Sequence, residues 1–234
     1  MRASPSTAPA VRTPPVNEGE LIARAAELAG KTLAQLAQKV GVAVPPDLKR
    51  HKGWVGQLME AALGCDAASR DEPDFVGLGV ELKTLPVDSW GKPLESTFVC
   101  TIPLRQVGEV EWGQSRVHRK LARVLWVPVE GVRRVPLAER RIGAALLWSP
   151  SDAEERALRD DWEELSGIIG SGGIDSITGH LGKFLQVRPK AANSRVRAMS
   201  IDAEGEISAT LPRGFYLRTA FTKAILEANY ALLR

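Results

Sequence analysis

The sequence predicts an α/β protein in which a mixed β-sheet is flanked by helices. Two observations carry this. Segments with helical period and end signals, at 17–30, 32–41, 52–63, 151–169 and 220–233, are interspersed with short runs of strand character at 80–84, 97–104, 124–129, 143–148, 183–188 and 215–217. Hydrophobic content of 44% and charged content of 25% are those of a globular chain whose core is large enough to need no staple. No apolar run approaches the roughly 18–20 residues of a membrane span. The N-terminus carries no apolar signal core, and Cys65 and Cys100 lack metal-ligand spacing. Reduced thiols and a cytoplasmic protein are therefore expected.

Taken in order, residues 1–16 hold four prolines and no acid, and read as a disordered tail. Asn17, with Glu20 three residues on, is a capping pair that opens a helix through Leu28, ended by Gly30. Thr32 caps a second helix ending near Gly41. The run 33–41 has the look of the first helix of a helix-turn-helix, but Pro45-Pro46 deny it a recognition helix. Residues 52–63 form the next helix, with Trp54, Leu58 and Ala62 on its core side and Glu60 on another. Lys52 stands at its entrance, where free backbone N–H groups welcome phosphate.

The chain is organised around residues 73–84. Asp74 stands at the entry of a turn containing Gly77 and Gly79, which admit close approach of backbone or ligand. Residues 80–84 alternate apolar and polar, as a half-buried strand does, with Val80 and Leu82 inward and Glu81 and Lys83 together on the other face. Taken blandly, Glu-x-Lys is a solvated ion pair. Taken chemically, two carboxylates and an ammonium converge on a point that suits a hard divalent cation and a phosphate.

Beyond it, residues 86–95 form a loop and 97–104 a strand, expected to lie antiparallel beside 80–84. Residues 112–114 read as loop, 115–123 as a basic segment and 124–129 as a strand. Residues 143–148 are an apolar buried strand. Ser151 or Asp152 caps a long charged helix to Ile169, to which no site is assigned. A strand at 183–188 precedes a loop at Pro189-Lys190. Glu204-Gly205 marks a hairpin turn, 215–217 a strand, and 220–233 a closing amphipathic helix.

Net charge is +3, too modest alone to specify a nucleic-acid partner. Its distribution says more. Basic runs at 49–52, 116–123, 133–134, 140–141 and 188–197 stand apart from the acids of 152–164, which predicts a positive groove and an acidic outer face. His51, His118 and His180 lack metal-ligand spacing and read as surface or phosphate-contact residues.

The order Pro-Asp, spacer, Glu-x-Lys resembles the restriction-type endonuclease superfamily. The words around it are more specific: Lys52-Gly53-Trp54-Val55-Gly56, Leu78-Gly79-Val80-Glu81-Leu82-Lys83-Thr84, Thr97-Phe98-Val99-Cys100, Leu146-Leu147-Trp148-Ser149-Pro150, Arg188-Pro189-Lys190-Ala191-Ala192-Asn193 and Leu211-Pro212-Arg213-Gly214-Phe215-Tyr216-Leu217. In this order they resemble the MutH family of DNA mismatch repair endonucleases over nearly the whole chain. The resemblance implies a restriction-endonuclease-like fold over 17–234, with a catalytic lobe at about 17–110, a DNA-recognition lobe at about 111–234 and a DNA-binding cleft. It implies one or two Mg²⁺ ions held by Asp74, Glu81 and the Leu82 carbonyl, with Lys83 catalytic and Glu60 and Lys120 contributing. It matches Arg188, Pro189, Lys190 and Tyr216 to positions that read GATC and its adenine methylation, and Glu95 and Phe98 to positions that contact or wedge the duplex.

The implied function is nicking of the unmethylated strand at hemimethylated GATC, by a monomer activated by MutL and indirectly by MutS. The acidic helix at 152–169 is one candidate partner surface. Three rivals stand beside it: a GATC-specific restriction enzyme cutting both strands, a non-catalytic helix-turn-helix regulator built on 33–41, and an interaction protein whose charged strand is mere surface.

Overall fold

The computed structural model describes residues 12–67, 71–190, 195–202 and 204–230. Most of the expected tail, part of the 188–197 basic run and the end of the closing helix lie outside these. Among the described residues the chain order is α1 (Glu18–Ala26), α2 (Leu33–Val40), α3 (Trp54–Leu63), β1 (Glu81–Val87), β2 (Thr97–Thr101), α4 (Arg116–Leu121), β3 (Val124–Glu130), β4 (Leu146–Trp148), α5 (Asp152–Gly170), β5 (Leu185–Pro189), β6 (Ala198–Ile201), β7 (Ile207–Thr210), β8 (Arg213–Leu217) and α6 (Thr219–Asn229). This is the mixed α/β arrangement of small sheets and flanking helices that the sequence predicts. Among the described residues no helix is long and apolar enough to cross a membrane.

The chain divides into two compact units. Among the described residues, the first takes those up to Leu94 together with Arg123–Trp148; the second takes Glu95–Ala122 and those from Ser149 to Tyr230. The single boundary expected near residue 110 is thus replaced by crossings after Leu94, Ala122 and Trp148. The cause is strand pairing: β1 takes its neighbour from β3, so the chain must leave and return.

In the first unit, the caps read from sequence form. Asn17 Oδ1 accepts from Glu20 N–H at 2.9 Å. The Glu20 carboxylate, however, accepts from Val16 N–H at 2.9 Å, one residue before the cap. Thr32 and Gln35 complete a reciprocal box on α2. Residues 42–53 contain no helix, so α2 has no recognition helix after it and the regulator reading loses its structural basis. Helix α3 begins at Trp54, with Lys52 exposed in the turn before it. Leu21, Leu33, Leu36, Leu58, Met59 and Leu63 from the three helices join Phe75, Val80, Leu82, Leu125 and Val127 in one core. Truncating any of these leucines to alanine costs about 2–5 kcal/mol.

The sheet of this unit has the order β1-β3-β4, with β1 parallel to β3 and β4 antiparallel to it. The expected antiparallel pairing of β1 with β2 does not occur; β2 pairs with β8. After β1 the chain turns back on itself: Asp88 Oδ1 accepts from Trp90 and Lys92 N–H, and Leu94 N–H donates to the Pro86 carbonyl. The apolar run of β3 is buried from Val124 to Val129, as a strand covered on both faces requires. Strand β4 is shorter than expected and partly exposed.

In the second unit β8 lies centrally between β2 and β5, antiparallel to both, and β6 and β7 form a separate ribbon. Ser115 caps α4 by accepting from His118 N–H at 3.0 Å, so the 115–123 segment is a short helix. Asp161, buried within the charged helix α5, accepts from the N–H groups of Lys183, Phe184 and Leu185 at 2.6, 2.6 and 2.8 Å. Arg218 donates to the carbonyls of Gly179, Leu181 and Gly182. These charged groups fix the root of β5.

Candidate active site and nucleic-acid interface

The acidic group is built by a tight local fold. Phe75 and Val80 bridge each other across a single 3₁₀ turn, Val76–Leu78. Gly79 closes that turn at φ +65, a conformation a side chain resists. Gly77 has open space around it and needs no such freedom. The closure brings Asp74 beside the start of β1, where its Oδ2 accepts from Leu82 N–H at 2.8 Å. The Asp74 carbonyl accepts from Asp66 and Ala67 N–H, and Asp66 Oδ1 accepts from Val76 N–H, so the loop is held from its other side. Glu81 N–H donates to the Arg123 carbonyl and ties the strand's first residue to the chain entering β3.

Glu81 is 3% exposed, as buried as the apolar Leu82 at 7% on the opposite face. The strand is therefore covered on both sides here, not half-solvated as its alternation predicts. A carboxylate at that depth costs several kcal/mol unless compensated. Lys83 supplies the compensation, donating from Nζ to Glu81 Oε1 at 2.6 Å.

Glu60, exposed on α3, belongs to the same neighbourhood. The witness is Cys65. Burial pushes its thiol up, and the carboxylates of Asp74, Glu60, Glu81 and Asp66 push it further. A cysteine that the sequence marks only as a reduced thiol thus reports negative charge collected from α3, the 74–80 turn and β1.

No three His, Cys, Asp or Glu side chains among the described residues form a ready metal cluster. The donor set still fits the ion expected. Two carboxylates and the Leu82 main-chain carbonyl are hard oxygen donors, and Mg²⁺ is commonly held by one or two carboxylates, with water and phosphate completing its shell. Lys120 belongs to the second unit, on α4, and at 5% exposed it is not a solvated basic face.

The expected recognition residues gather on the open face of the β2-β8-β5 sheet. Leu185, Val187, Phe215 and Leu217 take the buried face. Alternation puts Phe98, Tyr216 and Arg188 on the other. The Phe98 and Tyr216 rings meet edge to face with centroids 5.3 Å apart. Gly214 makes room for both: a Cβ there would stand 2.9 Å from Phe98 Cε2 and 3.3 Å from Tyr216 Cε2. Lys190 Nζ lies 3.8 Å from the Phe98 ring centroid, and the Arg188 guanidinium 5.9 Å from that of Tyr216. Arg188 also donates to Ser96 Oγ at 2.6 Å, a partner no sequence pattern indicates.

Pro189 ends β5, and Lys190 N–H extends the ladder to the Pro212 carbonyl at 2.7 Å, so this expected loop begins as sheet edge. Burial raises the Tyr216 phenol; Arg188 opposes the shift and the Glu95 carboxylate adds to it. Glu95 is thereby placed with the same group. A sheet face carrying two cations, two rings and one acid has the composition that contacts phosphates and base edges. Of the histidines, His118 packs against Trp112 with its Nε2 3.5 Å from Glu155, away from solvent-only roles.

The family model described as "MutH: DNA mismatch repair enzyme MutH" matches residues 63–161, which include Asp74, Glu81, Lys83 and Lys120. The DNA mismatch repair protein MutH of Salmonella paratyphi C (strain RKS4594) is 56% identical over 220 residues, covering 94% of this chain and 95% of that protein. Those of Salmonella choleraesuis (strain SC-B67) and Salmonella paratyphi B (strain ATCC BAA-1250 / SPB7) match at the same 56% over the same shares. The chain belongs to the MutH family. Identity over nearly the full length of both chains means that the MutH match extends past the acidic turn to the β2-β8-β5 face. Membership supports a role in DNA mismatch repair.

Proposed function

We propose that this chain is a Mg²⁺-dependent endonuclease that nicks the unmethylated strand at hemimethylated GATC sites in methyl-directed mismatch repair. The observation that carries the reading is the buried Glu81–Lys83 pair with Asp74 pinned beside it through Leu82 N–H. Family membership sets the biological context, and the aromatic-cationic face of the second unit supplies a means of reading duplex sequence.

In this reading Asp74, Glu81 and the Leu82 carbonyl hold the ion. Bound there, Mg²⁺ supplies positive charge to a phosphate oxygen and acidifies a water. Lys83, oriented by Glu81, presents its ammonium where charge accumulates on the phosphate in the transition state. Water oxygen bonds to phosphorus and gives up its proton to solvent, the P–O ester bond breaks, and the departing oxygen takes up a proton from solvent. Glu60 adds negative charge that favours the cation. Lys120 contributes to catalysis, as the family resemblance implies. Arg188, Pro189, Lys190 and Tyr216 read the site, Glu95 and Phe98 contact the duplex, and Lys52 binds phosphate at the entrance to α3.

A monomer with one acidic group cuts one strand, whereas a symmetric dimer would cut two. The chain acts in the cytoplasm on double-stranded DNA, activated by MutL and, through it, by MutS. Supercoiled plasmid bearing hemimethylated GATC sites, incubated with Mg²⁺ with and without MutL, tests the reading. Nicked circles that Glu81→Ala abolishes while still binding DNA are expected. Linear product identifies a restriction enzyme instead. Plasmid left intact but shifted on a gel identifies a binding protein. Unaltered nicking by Glu81→Ala removes the metal assignment.

A further inference from the structure

We infer that Gln186 is a base-reading residue whose side-chain amide hydrogen-bonds the major-groove edge of an adenine in the recognition site. The inference rests on the site-specific reading above. Three observations carry it. The antiparallel registers set Phe98 opposite Tyr216 and Tyr216 opposite Gln186, so the three form one row across the open face. Burial of Leu185 and Val187 sends Gln186 to the face that carries Arg188. The Gln186 side chain is half-buried, and among the described residues no group hydrogen-bonds its amide.

The Gln186 amide stands opposite Tyr216, with Phe98 one strand beyond, and it is not among the side-chain polar atoms sealed from solvent without a partner, so it is open to a ligand that lies on this face. It carries one acceptor and two donors. That set matches adenine, whose N7 accepts and whose N6 amine donates on the major-groove edge. The neighbours divide the remaining work. Arg188 and Lys190 are cations suited to phosphate or guanine, and the rings offer apolar contact. The Tyr216 hydroxyl can make one hydrogen bond to an adenine, but among these side chains only an amide sets a donor and an acceptor side by side for both N7 and N6. Strand β5, with its root fixed by Asp161 and Arg218, holds Gln186 in place for such a contact.

The test uses the full chain and its Gln186→Ala and Gln186→Met variants, the second keeping the packing of the stem. Binding is followed by fluorescence anisotropy without Mg²⁺, on duplexes in which each adenine of the site is singly replaced by 7-deazaadenine, and on single base-pair variants. At one adenine the replacement should weaken the unmodified protein about 10- to 100-fold. Both variants should bind the natural duplex weaker by a similar factor and lose nothing further at that adenine. Their salt dependence should stay unchanged, since no phosphate contact is removed. If no 7-deazaadenine position weakens the unmodified protein, the inference falls whatever the variants do. It falls too if the penalty persists in the variants, or if they weaken equally on every sequence. A protein indifferent to every base-pair change overturns the site-specific reading as well; one that discriminates, with variants that discriminate alike, overturns this inference alone.

Discussion

Asp161→Asn should destabilise the second unit by about 2–4 kcal/mol. The magnitude follows from geometry. The carboxylate is 6% exposed and accepts three N–H groups, from Lys183 on Oδ1 and from Phe184 and Leu185 on Oδ2, at 2.6, 2.6 and 2.8 Å. Asparagine has the same shape but one acceptor oxygen. In its better orientation it keeps two of the bonds, now neutral and about half as strong. Its amide then points a donor at the third N–H. One charge-assisted bond is lost outright, at about 1.5–3 kcal/mol, and the relief of burying a neutral side chain offsets part of the rest. A melting point lower by about 5–15 °C corresponds to this loss. Urea unfolding read by tryptophan fluorescence suits the measurement, because Trp162 adjoins the substituted residue and packs on Trp112 with centroids 5.8 Å apart. Hydrogen exchange at the amides of residues 183–185 localises the effect, and salt should not erase the difference because the carboxylate is buried. A variant within about 0.5 kcal/mol of the original, with undiminished protection at those amides, would refute the assignment of Asp161 as the anchor of β5.

Four further outcomes are expected. Glu18 is held below its ordinary carboxyl range by the Arg123 hydrogen bond, with Arg123's charge adding to it and partial burial opposing. Its contribution is therefore present above the unfolded carboxyl value of about 4.3 and disappears as pH falls through the lower folded value. Glu18→Gln should cost under about 1 kcal/mol near pH 7, because the pair is substantially solvated, and nothing near pH 2; a gap in urea midpoints that persists in acid contradicts this. Glu60→Gln removes one of the charges that raise the Cys65 thiol, so iodoacetamide should alkylate Cys65 a few-fold faster at pH 8, followed by peptide mass spectrometry; an unchanged rate separates Glu60 from the acidic group. Lys190→Ala should lower discrimination for the site more than affinity for random duplex, measured by competition binding. Equal weakening on all sequences would make Lys190 a phosphate contact. Gly214→Ala should displace the Phe98 and Tyr216 rings and cost about 1–3 kcal/mol, seen as a lower melting point with altered aromatic NMR shifts; an unchanged spectrum would show that the rings tolerate a Cβ.

What the sequence discloses and what it hides divide along physical lines. Caps are local, so Asn17, Thr32 and Ser151 can be read directly. The 74–83 constellation is local too, because one turn and one strand bring its members together. Periodicity assigns a residue to a face of a strand but names no neighbouring strand. The parallel pairing of β1 with β3, and the chain's return to the first unit that it forces, are therefore not legible. Nor is burial of the second face. Glu81 looks solvated in an alternating run and is in fact inside, and Lys120 looks like surface in a basic run and is buried. Asp161 is hidden by its company: among the acids of α5 it resembles solvated charge, and only the segment 183–185, brought to it by the fold, reveals its work.

The two groups differ in how they can tolerate change. The Asp74–Lys83 part of the acidic group is assembled within a dozen residues, so the turn that makes Asp74 meet Leu82 N–H is also the turn that spaces it from Glu81. Its geometry is set by short-range backbone closure, with Gly79 admitting the tight turn. The sheet face draws Phe98, Arg188, Lys190 and Tyr216 from three strands far apart in the chain, and their mutual placement depends on register. A one-residue slip of β5 against β8 would turn Gln186 and Arg188 inward and present Leu185 and Val187 in their place. That is why the root of β5 is fixed by buried charged groups rather than by apolar packing alone: three hydrogen bonds to one carboxylate specify a position along the strand, which non-directional hydrophobic contact does not.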